Sequence, residues 1–228
     1  MKNSLLNTKI LITAGPTREY LDPVRYITNE SSGKMGYAIA ETLHNLGADV
    51  YLVSGPVNLE TSFPRDKIIN VKTATEMYEA CKKHFSTINI AVFCAAVADY
   101  TPKVTSEIKI KKIEDECVLE LQKNVDIAFE FGKIKTKFQK SIGFALETND
   151  LLVNSKLKLE KKNFDLIVMN SPTENQGFGH DTNKISILSK DMYIDNFELK
   201  SKKEVAVDIA NAIIKQSNQL FNLVDLSF

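Results

Sequence analysis

The regular alternation of short apolar runs with longer amphipathic stretches is the feature that most constrains the fold of this chain. Runs that are apolar almost throughout predict strands buried on both faces of a sheet, and stretches with helical spacing of apolar residues predict helices between them. The predicted strands are Lys9–Ala14, Asp49–Ser54, Ile68–Val71, Ile88–Ala95, Ser141–Ala145 and Asp165–Met169. The predicted helices are Gly33–Leu46, Ala74–His84, about Val125–Lys135 and Asp150–Lys162. Because helical crossovers between parallel strands are right-handed, we expect an α/β fold with a Rossmann-like, doubly wound and mostly parallel sheet.

Two segments depart from this alternation. Residues 100–121 combine a polar loop with two short extended pieces, Glu107–Lys112 and Cys117–Leu121, and predict a projecting hairpin that we call the flap. Near the end, Lys184–Leu188 and Met192–Ile194 predict antiparallel strands that close one edge of the sheet.

A capping box predicts the start of the last helix. Ser201 and Glu204, three residues apart, are the residue types that satisfy each other's backbone N–H groups at a helix N-terminus, and the helical pattern continues through Ile214. No internal repeat, low-complexity tract or linker divides the sequence. Residues 1–228 are therefore predicted to form a single domain with a flap.

The charge balance and the cysteine usage exclude several classes of function. The 29 basic residues are balanced by 29 acidic ones, so no net field favours nucleic acid or an anionic membrane as a partner. The three cysteines and three histidines are scattered, which favours neither a metal site nor a disulfide framework. No stretch is apolar enough for a signal peptide or a membrane span, so we expect a cytoplasmic protein.

The connection between the first strand and the first helix predicts an anion site. It leaves the strand at Gly15 and enters the helix at Ser31, Gly33 and Gly36, where oriented backbone N–H groups and the positive end of the helix dipole favour a phosphate. Met35 follows Lys34 where a P-loop has Ser or Thr, so this is not a P-loop. The alternative is a strand–helix connection with a well-capped helix, although a loop of this length in a compact α/β unit is usually functional.

Other candidate residues follow strand ends that meet at one rim of the predicted sheet, where open α/β sheets bind ligands. The candidates are Ala95, Ala96, Asp99 and Phe144 at strand ends, and Lys158 and Lys162 one turn apart on a helix. Each has a structural alternative: the alanines pack under a helix, and the lysines form a solvated face. Lys109 and Lys111 share one face of a predicted flap strand, where exposed lysines also protect an edge from aggregation.

Taken together, the motifs resemble the phosphopantothenoylcysteine synthetase family, also called phosphopantothenate–cysteine ligases. The resemblance rests on ordered segments spread over roughly residues 10–187. They are ITAGPTREYLDPVRYITNESSGKMGYAIAE, CAAVADYTP, EIKIKK, KNVDIA, GFALETN, KKNFDLIVMN and GFGHDTNKISI.

The resemblance implies a Rossmann-like homodimer that uses CTP as co-substrate, with Mg²⁺ held mainly by phosphates. The carboxylate of 4′-phosphopantothenate attacks the nucleotide α-phosphate and releases pyrophosphate, and the amine of cysteine then attacks the acyl-cytidylate and releases CMP. The resemblance is to a stand-alone bacterial form, without the flavin-dependent decarboxylase domain that precedes many relatives. A separate phosphopantothenoylcysteine decarboxylase is therefore a candidate partner.

The resemblance also implies roles for individual residues. Asn29 acts on the acyl intermediate, Lys109 is a mobile flap cation, and Arg25 reaches the substrate of the neighbouring subunit. Ala95, Ala96 and Asp99 line the place where phosphopantothenate meets the nucleotide. The triphosphate is held by Gly15, Ser31, Gly33 and Gly36, and the nucleotide is positioned by Phe144, Lys158, Lys162 and Asn170.

Two other functions remain as alternatives. The first is an NAD(P)-dependent Rossmann oxidoreductase, which typically needs a Tyr-x-x-x-Lys pair. Of the seven tyrosines, only Tyr78 has a lysine four residues later, Lys82, and this pair lies before the CAAVADY strand rather than after it. The second alternative is a nucleotide-binding module without catalytic activity, against which Asn29, Lys109 and Asp99 argue.

Overall fold

The computed structural model describes residues 4–112, 117–171 and 181–224, and the side chains of these residues up to 216. The strands are β1 (Lys9–Ala14), β2 (Arg18–Tyr20), β3 (Tyr26–Thr28), β4 (Asp49–Ser54), β5 (Ile68–Asn70), β6 (Ile90–Phe93), β7 (Tyr100–Pro102), β8 (Leu121–Lys123), β9 (Lys140–Leu146), β10 (Leu166–Asn170), β11 (Thr182–Asn183), β12 (Ser186–Ser189), β13 (Ile194–Asn196) and β14 (Lys200–Ser201). The helices are α1 (Lys34–Asn45), α2 (Ala74–Phe85), α3 (Ile127–Ile134), α4 (Leu151–Lys161) and α5 (Lys202–Val224), with a 3₁₀ turn at Arg65–Lys67.

One eight-stranded sheet organises the fold, in the order β13-β12-β10-β9-β6-β1-β4-β5. The six strands from β10 to β5 are parallel, and β12 pairs antiparallel with both β10 and β13. The predicted α/β, doubly wound and mostly parallel sheet with an antiparallel edge is therefore confirmed. The chain runs outward from β1 to one edge and then returns to β6 on the other side of β1. This reversal opens a crevice at the carboxyl ends of β1 and β6.

Residue alternation along the strands divides the core between the two faces of the sheet. In β1, Ile10 and Ile12 are buried with residues of α1 and α5, whereas Leu11 is buried with residues of α2, α3 and α4. Because both faces are covered, the parallel strands read as continuous apolar runs rather than alternating ones. This explains why the six parallel strands are recognisable from the sequence.

The predicted flap strands are wrong in position. The strands at the base of the flap are β7 and β8, which pair antiparallel with Tyr100 opposite Lys123. The predicted pieces Glu107–Lys112 and Cys117–Leu121 form no strand with each other, and residues 113–116 between them lie outside the described part. The backbone of Ile110 bonds side chains of residues 22 and 25 instead of a neighbouring strand. Lys109 and Lys111 are therefore not on a strand, and the prediction that they share one strand face is wrong.

The capping box, the last helix and the antiparallel strands predicted near the end of the chain are present, but the helix and the strands have different boundaries. The capping box is present, because Glu204 Oε2 accepts from the Ser201 backbone N–H at 3.0 Å and Ser201 Oγ accepts from the Glu204 N–H at 3.3 Å. The helix that it opens continues to Val224 rather than ending at Ile214, since no Gly or Pro interrupts it. The antiparallel strands are shifted toward the C-terminus by about two residues.

The β2–β3 hairpin, Arg18 to Thr28, has no counterpart among the predicted elements. It pairs Arg18 with Thr28 and Tyr20 with Tyr26 within the long connection between β1 and α1. Each strand has only three residues, too few to show a period of two. Across the residues described, no helix combines the length and apolar character needed to cross a membrane.

Candidate functional site

A cavity of about 420 Å³ lies beyond the carboxyl ends of the parallel strands, beside the β1–β6 crevice. Most of the residues predicted from the sequence line it: Asn29, Ser31, Gly33, Gly36, Ala95, Ala96, Asp99, Phe144, Lys158, Lys162 and Asn170. The lining also includes polar residues that the sequence analysis missed: Lys34, Asn124, Asp126, Asn183 and Lys202. Gly15, Arg25 and Lys109 are not among the lining residues.

The N-terminus of α1 forms one wall of the cavity. Gly33 precedes the helix with a φ of 75°, a conformation that favours glycine, and no side chain caps the first turn. At Gly36 a Cβ atom would lie 2.6 Å from Ala14 Cβ, so only glycine lets α1 approach β1 this closely. Gly15 lies behind this wall. A Cβ atom added to Gly33 would be 3.4 Å from the Gly15 Cα. Oriented N–H groups facing a cavity are suited to an anion.

Two lysines that the sequence analysis missed add positive charge to this wall. Lys34 Nζ lies 2.5 Å from Asp181 Oδ1, and Lys202 at the start of α5 is buried beside the same cavity. Burial, and secondarily the positive charge of Lys34, lowers the pKa of Lys202. An anion placed near both lysines would favour their charged forms. Lys202 is some 170 residues away from α1 in the sequence, so no local pattern reveals it.

Asn29 is tied to the loop that follows β6. Its Nδ2 donates to the carbonyl oxygens of Ala96 and Val97, each at 3.1 Å. The next turn of this loop is held by Asn124, whose Nδ2 donates to the Ala98 carbonyl at 3.1 Å and whose backbone N–H donates to the Asp99 carbonyl at 2.8 Å. The predicted substrate residues and Asn29 are therefore brought together at one side of the cavity.

The opposite side of the cavity carries the two lysines of α4. Lys158 forms an ion pair with Glu147, and Lys162 Nζ lies 3.0 Å from Asp126 Oδ1. Neither lysine belongs to a fully solvated face, since their side chains are 38% and 22% exposed. Phe144 and Asn170, on neighbouring strands, complete this side. Both lysines are therefore held by carboxylates at the cavity, and their role in binding a nucleotide stays a prediction.

Lys109 and Arg25 lie on the periphery. Lys109 is exposed on the flap, and Arg25 follows the turn of the β2–β3 hairpin. The guanidinium of Arg25 bonds Asp22, with Nη2 at 2.5 Å from Oδ2, and also donates to the Ile110 carbonyl at 2.8 Å. Both partners belong to its own chain. Arg25 Nη1 takes no part in these bonds, so the predicted contact with a neighbouring subunit's substrate stays a prediction.

Several groups near the cavity limit its chemistry. Burial raises the pKa of the Cys94 thiol to about 12, which disfavours its thiolate form. The described residues contain no group of three His, Cys, Asp or Glu side chains arranged for a metal ion. The pair Tyr78 and Lys82 is not part of the lining, and the Tyr78 ring packs 5.3 Å from that of Phe131 in the core. This placement argues against the oxidoreductase alternative.

Comparisons with known proteins agree with this geometry. The family model described as DNA/pantothenate metabolism flavoprotein C-terminal domain matches residues 5–216. A crystal structure of the C-terminal domain of the coenzyme A biosynthesis bifunctional protein CoaBC superposes with a TM-score of 0.81 at 40% identity, covering 96% of this chain and 100% of that one.

Two curated relatives are longer than this chain. A cysteine/cysteine sulfinic acid decarboxylase from an unknown prokaryotic organism is 49% identical over 207 residues, which are 90% of this chain and 58% of that protein. CoaBC from Haemophilus influenzae is 45% identical over 215 residues, 94% of this chain and 53% of that protein. The chain thus spans about half the length of the curated relatives that it matches.

Proposed function

The chain belongs to the family of DNA/pantothenate metabolism flavoprotein C-terminal domains, and from this membership we propose that it is a ligase joining 4′-phosphopantothenate to cysteine in coenzyme A biosynthesis. The observation that carries the proposal is a single cavity in which the N-terminus of α1 adjoins Asn29 and the loop after β6. The 40% identity to the CoaBC C-terminal domain, covering that domain completely, supports it.

The first proposed step is activation of the substrate carboxylate. A carboxylate oxygen of 4′-phosphopantothenate bonds to the α-phosphorus of CTP, the bond to the β-phosphate oxygen breaks, and pyrophosphate leaves. This step builds charge on oxygens that are already negative, so oriented N–H groups and cations stabilise it. The wall formed by the N-terminus of α1, Lys34 and Lys202 supplies such groups. Lys109 would add a further cation if the flap brings it to the phosphates.

The second proposed step forms the amide. The cysteine amine attacks the acyl carbon, CMP leaves with the bonding electron pair, and the amine loses a proton. A negative oxygen develops on the acyl carbon, for which an uncharged amide donor is suited. Asn29 carries such an amide beside the loop of residues 95–99, where its Nδ2 donates to the carbonyls of Ala96 and Val97. Because the NH₂ group has two N–H donors, one of these bonds would be exchanged for a bond to the oxyanion.

Mg²⁺ would enter this site with the nucleotide. The carboxylates of Asp99 and Asp126 line the cavity, but the described residues offer no three-ligand cluster. Magnesium is commonly held by one or two carboxylates together with substrate phosphates and water, which fits this donor set. Its chemistry would be to neutralise phosphate charge, and the protein's own task is to place the phosphates.

One relative is named a decarboxylase and the other a bifunctional protein, but we propose no decarboxylase activity and no second activity for this chain. The chain matches only 58% and 53% of these proteins, so each has a further part without a counterpart in the match. We assign the ligase reaction to the matched part because the CoaBC C-terminal domain is covered in full. A decarboxylase acting on the product remains a candidate partner.

The reaction itself tests the proposal. Purified protein is incubated with 4′-phosphopantothenate, cysteine, Mg²⁺ and each nucleotide in turn, while pyrophosphate release and product mass are followed. We expect product and pyrophosphate in equal amounts. Without cysteine, pyrophosphate release should stop at about one per site. Absence of product with every nucleotide would contradict the proposed function.

We expect CTP to be preferred over ATP. Cytosine presents two neighbouring acceptors, O2 and N3, beside one amino donor, whereas adenine has one ring acceptor there. Lys158 and Lys162 carry three N–H donors each, so each can keep its carboxylate partner and still donate to a base. A lysine donor that the bound base shields from water and that adenine leaves unpaired would cost about 1–3 kcal/mol, roughly one to two orders of magnitude in discrimination.

Competition between CTP and ATP measures this preference in the wild type, Lys158→Ala and Lys162→Ala. Lys156→Ala is the matched control, since Lys156 lies on the same helix but is exposed and outside the cavity. The preference should fall in the first two variants and persist in the control. Equal use of both nucleotides by the wild type, or an unchanged preference in both variants, would show that backbone groups or other residues read the base.

Exposed apolar residues support the proposal that the chain works as a homodimer. The large hydrophobic side chains exposed on the β2–β3 hairpin and the described part of the flap are Val24, Tyr26, Tyr100, Val104, Ile108, Ile110, Val118, Leu119 and Leu121. Val104 and Val118 are 82% and 88% exposed. A concentration of exposed apolar surface of this kind is typical of protein interfaces.

Mixing two inactive variants tests whether the site is shared. We expect Arg25→Ala and Asn29→Asp subunits, each inactive alone, to regain turnover when mixed, because a mixed dimer contains one site with an intact Asn29 and the partner's intact Arg25. Subunit exchange is verified independently by light scattering or mass spectrometry. If exchange occurs without any turnover, Arg25 acts within its own subunit.

A further inference from the structure

Asp22 is a buried carboxylate at the turn of the β2–β3 hairpin, outside the cavity. Its side chain has no exposed surface, and Oδ1 accepts from the backbone N–H groups of Val24 and Arg25, each at 2.8 Å. Oδ2 accepts from Arg25 Nε at 2.9 Å and from Nη2 at 2.5 Å. The Arg25 guanidinium and these N–H groups hold the pKa of Asp22 well below its usual range, so the carboxylate stays charged.

The same Oδ2 atom reaches across to the flap. It accepts from the Ile110 backbone N–H at 3.2 Å, and the Ile110 carbonyl accepts from Arg25 Nη2 at 2.8 Å. Both backbone groups of the residue next to Lys109 are thus bonded to the pair Asp22–Arg25. These residues are 85 or more positions apart in the sequence, and the contact has no strand pairing to support it.

Two further bonds tie the flap to the same hairpin. The Ser106 backbone N–H donates to the Leu21 carbonyl at 2.9 Å, and Thr105 Oγ1 donates to the Tyr20 carbonyl at 3.0 Å. The flap segment from Thr105 to Ile110 is therefore anchored along the tip of the hairpin. Its own base, at β7 and β8, lies next to the cavity residues Asp99 and Asn124.

The other end of the hairpin is fixed to the body of the protein. Buried Glu19 accepts from the Ala74 N–H at the start of α2 at 3.0 Å, and the Arg18 N–H donates to the Lys72 carbonyl at 2.8 Å. The hairpin then leads through β3 directly into Asn29. The hairpin thus links the flap, the body and the residue that contacts the loop after β6.

We propose that Asp22 is a positioning residue of the ligase reaction, which fixes the Lys109-bearing segment of the flap relative to Asn29 and the cavity. The inference rests on the proposed function, because the position of Lys109 matters for the reaction only if Lys109 takes part in the activation step. Asp22 itself is shielded by its partners and touches no part of the cavity lining. It acts through the backbone of Ile110.

Limited proteolysis tests the anchoring without requiring activity. Asp22→Asn replaces one carboxylate oxygen by an NH₂ group, which donates hydrogen bonds and accepts none. The amide therefore cannot accept both from the N–H groups of Val24 and Arg25 and from the N–H of Ile110. We expect trypsin cleavage after Lys109 and Lys111 to accelerate by about tenfold or more, while cleavage after exposed Arg65, in the 3₁₀ turn before β5, stays constant. Thr105→Val, which removes one flap bond from an exposed residue, should accelerate the same cleavages to a smaller extent.

A second buried carboxylate provides the control for lost stability. Asp165 accepts from Lys135 Nζ at 2.6 Å and from the Ser141 N–H at 2.8 Å, far along the chain from the flap. Asp165→Asn should lower the melting temperature without changing the ratio of flap cleavage to cleavage at Arg65. An unchanged ratio in both Asp22→Asn and Thr105→Val would overturn the proposal, whatever the activity of the protein.

Kinetics test the purpose of the anchoring. Asp22→Asn should lower the rate of pyrophosphate release by tenfold or more with little change in the nucleotide dissociation constant, since other elements form the nucleotide cavity. Combined with Lys109→Gln, it should cause no further loss, because it acts through Lys109. Independent, multiplying losses would overturn the proposal. If the wild type shows no ligation at all, the proposed function fails, and the cleavage ratios still decide whether Asp22 anchors the flap.

Discussion

Asn29→Asp is expected to block amide formation while nucleotidyl transfer to the substrate carboxylate largely persists. The amide Nδ2 lies 3.1 Å from the carbonyl oxygens of both Ala96 and Val97. A carboxylate oxygen in its place would face two carbonyl oxygens and would also repel the oxyanion of the second step. Loss of one such donor typically costs about 10²–10³ in rate, and the added charge acts in the same direction.

Rapid-quench analysis measures the two steps separately and should show a trapped acyl-cytidylate in the Asn29→Asp variant. Asn29→Ala is the companion variant, because it removes the amide without adding charge. Its second step should be slow but faster than that of the Asp variant. Normal product formation by Asn29→Asp would contradict the assignment of Asn29 to the second step.

Lys109→Gln is expected to slow the activation step by roughly 2–4 kcal/mol of barrier, the cost of losing one electrostatic donor at a reacting centre. Lys109 is exposed on the flap and supports no part of the core, so the melting temperature should not change. Pre-steady-state pyrophosphate release measures the activation step, and thermal unfolding measures stability.

Lys111→Gln is the matched control for Lys109→Gln. Lys111 is exposed on the same flap segment and carries the same charge, so a general effect of flap charge would slow both variants equally. A lower melting temperature with normal turnover in Lys109→Gln would mean that Lys109 has a structural role and no part in activation.

The glycines at the start of α1 show what local sequence can reveal about a site. Gly33 and Gly36 were recognisable because a glycine at a strand–helix connection signals either a positive φ or a close backbone approach, and the structure contains both. Asn124, Asp126 and Asn183 carry no such signal. Their types are common at helix N-termini and turns, and only the fold shows that they line the cavity.

The flap shows where reasoning from local pattern fails. Alternating charged and apolar residues in Glu107–Lys112 favoured a strand, because alternation is the only strand signal available locally. The backbone at Ile110 instead bonds Asp22 and Arg25, and the preceding Ser106 bonds Leu21, all of them more than 80 residues away in the sequence. Buried backbone N–H and C=O groups need hydrogen-bond partners, and a side chain or a carbonyl distant in the sequence can be that partner in place of a neighbouring strand.

The sequence by itself determined the parallel sheet, its helices, the capping box at Ser201 and the cavity glycines Gly33 and Gly36. These features follow from periodic burial and from residue types with narrow local preferences, which are written in consecutive positions. Only the tertiary structure decided that Lys202 joins the wall at α1, that Lys158 and Lys162 are paired with Glu147 and Asp126, and that Asp22 holds the flap. These contacts form between segments that are distant in the sequence. The sequence around a side chain is the same whether or not the fold brings a partner to it, so local pattern does not predict the contact.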